Sequence, residues 1–376
     1  MRPPTLRRAR DRRPLRALAI ASAVLAALPD GVCAEEADAT AWLEVIREKR
    51  KVPALAAAAV KDGKIVAIGA TGLRRLGGKE KVTVTDRWHV GSCTKSMTAT
   101  VAALLVERGQ LSWDATVESL LAKKVPGMHA EWRPITLEQL LSHRAGAPAK
   151  PPTELWGKAW GHRGKPSDQR WDFVRGLLEN APTANPKFTY SNQGYSIAGQ
   201  MLEVASKDAW EDLMRSQLFD PLKLRTAGFG APGSAAKVDE PWGHNGPMPV
   251  PPGPAADNPA AIGPGGTVHM SIGDFARYAG FHAARKELLP PAQFTRLHTP
   301  APEHDYAMGF FVTERPWGGG KVLMHNGSNT MNFAVMWIAP ERNFAVVAAT
   351  NQAGRDAEGA VDDACAELIR RLLPSP

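Results

Sequence analysis

Two stretches near the end of the chain constrain its fold more than any other feature. Phe333-Ala334-Val335-Met336-Trp337-Ile338 is apolar at every position, Phe344 to Thr350 is nearly so, and Pro340, Glu341, Arg342 and Asn343 join them. Side chains of a strand alternate between faces, so strands apolar on both faces require a sheet covered on each side. Met308 to Val312 and Val322 to Met324 read as further strands, and Ala357 to Leu373 as a closing helix. At the opposite end, Asp38 is placed to cap a helix running to about Lys51. Apolar runs from Ala54 to Val60 and from Ile65 to Ala70 flank Asp62-Gly63, a hairpin signal. First and last segments are therefore expected to share one sheet, with the terminal helices as one of its covers.

Between these ends, Cys93 to Arg108, Leu137 to Ser142, Trp171 to Glu179, Ser196 to Ala205 and Ala209 to Gln217 have helical character. Gly246 to Gly266, with Pro247, Pro249, Pro251, Pro252 and Pro254, reads as a long irregular excursion. The expected class is α+β: an antiparallel sheet built from the N- and C-terminal segments, flanked by helices, with an inserted, mainly helical lobe. The α/β lobe would span about 35–90 and 300–376, and the helical lobe about 91–299.

Residues 1–34 read as a signal peptide. Arg2, Arg7, Arg8, Arg10, Arg12, Arg13 and Arg16 precede an apolar run from Ala17 to Leu28 that is too short to span a bilayer, and Val32-Cys33-Ala34 fits a cleavage site. A periplasmic or secreted protein is expected, exported by the general or the twin-arginine route. Cleavage leaves a catalytic domain at 35–376, long enough for two lobes. The leader's seven arginines and two aspartates carry most of the formal net charge of +8. What remains shows no basic stripe with interleaved aromatics, so no nucleic-acid partner is expected. Cys93 and Cys365 are too few for a disulfide framework, and the ten histidines show no paired metal-ligand spacing. No metal, cofactor or membrane span is expected after cleavage; the partner would be a small-molecule or peptide substrate, and the oligomeric state is open.

The chemistry is carried by three short elements. The first is Ser92-Cys93-Thr94-Lys95, a Ser-x-x-Lys pair of a kind that arises about once by chance in a chain this long. Ser234 and Lys237 form a second such pair, but Pro232 and Gly233 precede it and nothing holds its side chains together. Ser92 instead follows Gly91 at the start of a good helix, so serine and lysine share one face. A serine hydroxyl needs a base, and a lysine becomes one when it is desolvated. Taken alone, the pair also fits an N-capping serine followed by a solvated lysine.

The second element is Tyr190-Ser191-Asn192, where a tyrosine hydroxyl could shuttle a proton and an asparagine amide could orient a lysine or bind a carbonyl. The third is His325-Asn326-Gly327-Ser328 at a strand end, where glycine permits close approach and the Ser328 N–H can pair with that of Ser92 as an oxyanion hole. A second His-Asn-Gly, at His244, Asn245 and Gly246, lies in the proline-rich excursion, where no strand is expected to present it.

In this order the elements resemble the serine β-lactamase and penicillin-binding-protein superfamily, in the branch of class C β-lactamases, D,D-carboxypeptidases and esterases. Gly91-Ser92-Cys93-Thr94-Lys95-Ser96, Leu140-Leu141-Ser142-His143, Phe188-Thr189-Tyr190-Ser191-Asn192-Gln193-Gly194-Tyr195, Phe219-Asp220-Pro221-Leu222 and Gly265-Gly266 carry the resemblance over nearly all of the chain after residue 34. It implies a β-lactamase/transpeptidase-like fold. It also implies Ser92 as acylated nucleophile, Lys95 and Tyr190 as the proton-transfer pair, and His325 as the third-motif residue. Asn192, Asn326 and Ser328 would bind substrate, and Asn351 resembles a position that helps bind substrate carboxylates. Where β-lactamases of this branch usually have lysine in the third motif this chain has His325, as carboxypeptidase-like and esterase-like relatives do, which implies weaker holding of an anion and argues against efficient β-lactam turnover while leaving acylation by β-lactams open. The implied activity is hydrolysis of an ester, amide or D-amino-acid peptide through an acyl-enzyme; β-lactamase activity proper and a non-catalytic binding protein are the alternatives.

Overall fold

The computed structural model describes residues 36–183 and 188–373, so the expected leader lies outside it. Seven strands form the main sheet: β1 (Ala37–Asp38), β2 (Ala54–Lys61), β3 (Lys64–Gly72), β4 (Phe311–Arg315), β5 (Gly320–Ser328), β6 (Phe333–Ala339) and β7 (Phe344–Thr350). Their spatial order is β1-β3-β2-β7-β6-β5-β4. The two ends of the chain meet where β2 pairs antiparallel with β7, Ala58 opposite Val347. The sheet is mixed rather than wholly antiparallel, because the two-residue β1 runs parallel to β3 at the edge.

The β2–β3 hairpin turns at Asp62 and Gly63, both with positive φ, as a two-residue loop matching the twist of its strands requires. Strands β6 and β7 occupy the stretches read from the sequence, and their two-sided apolarity is used. Val346 and Ala348 join Leu55, Ala57 and Ala59 on the face covered by α1 (Thr40–Arg50) and the closing helix Arg355–Leu372. Ala345, Val347 and Ala349 join Ala54, Ala56, Ala58 and Val60 on the other face. That face is covered by the helix Ile272–Ala284, whose Gly280 packs directly on the Val60 methyls, and α2 (Thr94–Glu107) belongs to the same core. Cys93 and Cys365 are buried free thiols, one in the core of each face.

The intervening chain is largely helical, including Pro166–Leu178 and α3 (Asn192–Ser206). It also holds a small sheet made of Arg87–His89, Gly228–Phe229 and Val268–Ser271, which was not anticipated. The proline-rich excursion is more regular than expected. Gly243–Asn245 pairs with Met248–Val250, and Gly263–Gly266 forms a helical turn.

Candidate active site

A tight turn, Gly91–Cys93, leads into α2 and leaves Ser92 half-buried at its mouth. Gly91 adopts φ 49°, and a side chain there would collide with the backbone N of Ser328. Gly327 is constrained reciprocally, because a Cβ on it would collide with the backbone of Val90 and Ser92. Strand β5 and the Ser92 turn therefore lie backbone against backbone. This brings the backbone nitrogens of Ser92 and Ser328 to one place, as a paired oxyanion site requires.

The Gly91 N–H donates to His89 Nδ1 at 3.1 Å, and His89 Nε2 lies 2.7 Å from Asp257 Oδ1, both side chains being buried. Thr94 Oγ1 donates to Gly91 O at 2.7 Å and accepts from Val268 N at 3.1 Å. The small sheet thus anchors the nucleophile turn.

Lys95 is completely buried. Its Nζ is 2.6 Å from Asn192 Oδ1, 2.7 Å from Gly265 O and 3.1 Å from Ser92 Oγ. Burial is the main influence on its ammonium and lowers its pKa to about 7. A neutral amine has two hydrogens and one lone pair. The two carbonyl oxygens can only accept and so take the hydrogens, leaving the lone pair for the Ser92 hydroxyl. The geometry fits a base facing a nucleophile.

Tyr190 places its ring centroid 4.7 Å from Lys95 Nζ. Burial pushes its hydroxyl pKa up, against a smaller opposing effect of its hydrogen bond with Ser92. It stays a phenol beside the Lys95 amine. Asn192 opens α3 behind the N-cap Ser191, whose Oγ accepts from Gly194 N at 3.2 Å.

His325 is buried within the cluster, its ring 6.2 Å from that of Tyr190. Burial, then the nearby Lys95, lower its pKa to about 3, so the ring is neutral. Its Nδ1 bonds Asn326 O and its Nε2 lies 3.2 Å from the Tyr306 hydroxyl. Asn326 and Ser328 are exposed on the same strand.

The described contacts do not bring Asn351 into this cluster. Its side chain is buried and donates to Leu73 O and Arg74 O at 3.3 and 3.1 Å, while its own carbonyl lies 2.7 Å from His244 Nδ1. The second His-Asn-Gly is thus structural and does lie in a strand, contrary to expectation. Lys237 pairs with Asp239 at 3.6 Å, and Ser234 Oγ accepts from Ala236 N, so the second Ser-x-x-Lys pair does not assemble.

A family model described as Beta-lactamase matches residues 39–369. The chain belongs to the beta-lactamase family. Within it, the chain is 28% identical over 244 residues to penicillin-binding protein 4 of Amycolatopsis lactamdurans, covering 64% of this chain and 61% of that one. It is 27% identical over 336 residues to unguisins hydrolase ungD' of Aspergillus campestris, covering 82% of this chain and 61% of the relative. The chain therefore spans less than two thirds of either relative. In fold it resembles the octameric penicillin-binding protein homologue from Pyrococcus abyssi, with TM-score 0.70, 24% identity and coverage of 88% and 76%. SurE gives TM-score 0.70 at 23% identity, covering 89% of this chain and 77% of that one.

To the expected site residues the structure adds His143. It is buried at φ 60°, its Nδ1 accepts from Ser191 N at 3.1 Å, and its carbonyl accepts from Thr189 N at 2.9 Å. Its ring packs 4.4 Å from that of Tyr190 and 4.8 Å from that of Tyr306. His143 therefore holds the Tyr190–Asn192 turn by both its side chain and its backbone. Leu140–His143 was visible in the sequence as a motif without a role, and Gly265 likewise. For Tyr306 the one sequence signal was scarcity: three of the chain's four tyrosines, Tyr190, Tyr195 and Tyr306, gather at this histidine. His89 and Asp257 carried no sequence signal.

Proposed function

We propose that this protein is an exported serine hydrolase that forms an acyl-enzyme on Ser92 and cleaves an ester, amide or D-amino-acid peptide. The observation that carries the reading is the Lys95 amine, buried, committed to two carbonyl oxygens and turned with its remaining valence toward Ser92 Oγ. In the first step Nζ takes the Ser92 proton as Oγ bonds to the substrate carbonyl carbon. The carbonyl oxygen, now negative, lies between the N–H groups of Ser92 and Ser328. The proton passes by way of Tyr190 to the leaving group as its bond breaks. Water then repeats the sequence on the acyl-Ser92 ester and frees the acid. Relatives named as a penicillin-binding protein and as a hydrolase are consistent with this chemistry.

The test is labelling with a fluorophosphonate and a fluorescent penicillin, followed by intact-mass analysis over an ester and peptide panel. Wild type should acquire a single adduct that Ser92→Ala does not. Equal labelling of both would reject Ser92 as nucleophile, and retention of substrates without any adduct or turnover would favour a binding protein.

A further inference from the structure

We propose that the leaving group accepted by the Ser92 cleft is uncharged, so that the enzyme acts on esters and on internal or blocked amides rather than on peptides whose departing residue ends in a free carboxylate. The inference rests on the acyl-Ser92 reading and narrows it. It comes from how the polar groups beside the nucleophile are already committed.

Asn326 O can only accept, so His325 Nδ1 carries the ring hydrogen. In the neutral ring Nε2 is then an acceptor, and the Tyr306 hydroxyl donates to it at 3.2 Å. Both nitrogens are spent within the protein, the ring is 1% exposed, and it has neither a charge nor a free N–H to offer a substrate anion. Asn351 is committed in the same way, its amide hydrogens going to the Leu73 and Arg74 carbonyls. The groups that β5 leaves exposed beside the cleft are Asn326 and Ser328, an amide and a hydroxyl, and the Ser328 Oγ accepts from Thr330 N at 2.9 Å. These suit carbonyls and amides. Their neutral dipoles repay little of the cost of drying a carboxylate.

Among the described residues the cation inside the cluster is Lys95, and its use by an anion would be self-defeating. A carboxylate held near Nζ stabilises the ammonium, which raises its pKa and removes the lone pair that activates Ser92. A charged leaving group is thus penalised both in binding and in the first proton transfer.

Two aryl esters of one acyl group test this, the leaving phenol bearing either a meta carboxylate or the corresponding methyl ester. Each kcat/KM is divided by the rate of that ester's hydrolysis by hydroxide, which removes intrinsic reactivity. Wild type is expected to prefer the uncharged ester at least tenfold, and His325→Lys to shrink that ratio. The wild-type ratio decides the matter without the variant. A carboxylate-bearing ester cleaved as fast or faster overturns the proposal. Ser92-independent cleavage of both overturns instead the acyl-serine reading on which it rests.

Discussion

At the residue scale the site turns on one lysine made basic by its surroundings. Lys95 loses its proton at about 7 because burial removes the water that would stabilise the ammonium. In the proposed acylation the reactive species is the unprotonated one, so kcat/KM is expected to rise with pH through about 7 and to fall roughly tenfold per unit below it. His325, already neutral from a pKa of about 3 upward, contributes no inflection there. A stopped-flow acylation profile from pH 5 to 9 checks this, and a flat profile over that range would remove Lys95 as the base. The Ser92–Lys95 pair was legible because its geometry is local: two residues three positions apart, one helical turn. His143 and His89 were not, because their roles consist of bonds to backbone N–H groups brought close only by the fold, and an isolated histidine gives no sign of such a bond.

At the element scale the candidate active site is a contact between a turn and a strand. Gly91 and Gly327 let the Ser92 turn and β5 touch through their backbones, and each would collide with the other's chain if it carried a side chain. Gly327→Ala is therefore expected to push Ser328 away and disable half of the proposed oxyanion hole. Losing one such donor costs about a hundredfold to a thousandfold in turnover. The variant should slow acylation by that order while circular dichroism reports an intact fold, and acylation within tenfold of wild type would argue against a Ser328 N–H in the hole. Strands β6 and β7 were readable because burial on both faces leaves an uninterrupted apolar run. The hairpin at 243–250 was not, since Pro247 and Pro249 look like breakers, although a proline is tolerated in a short edge strand. The small sheet that carries His89 was missed for a related reason: strands of two to four residues are too short to show an alternation.

At the scale of the whole molecule, the fold places a group that opposes folding at the centre of its core. The ends of the chain close one sheet, the helical segment lies against its inner face, and Lys95 is buried among the groups that meet there. That layering was legible from two-faced strands at one terminus and an alanine-rich hairpin at the other. The cost at its centre was not, because a lysine's charge state depends on the water the completed fold excludes. The consequence is measurable as stability. In the unfolded chain Lys95 keeps its proton up to about 10.5, whereas in the folded protein it loses it at about 7. Between these values the unfolded state binds the extra proton, so this group makes the folded protein more stable as pH rises. Lys95→Met fills similar volume and cannot titrate. The stability of wild type relative to Lys95→Met should therefore increase between pH 7 and pH 9, by at most about 1.4 kcal/mol per pH unit. Below pH 7 the difference should level off, with the methionine variant the more stable of the two and inactive. Urea unfolding of both proteins at pH 6, 7, 8 and 9 measures it. A stability difference independent of pH would mean that Lys95 carries the same charge folded and unfolded, and would remove the neutral amine on which the proposed chemistry depends.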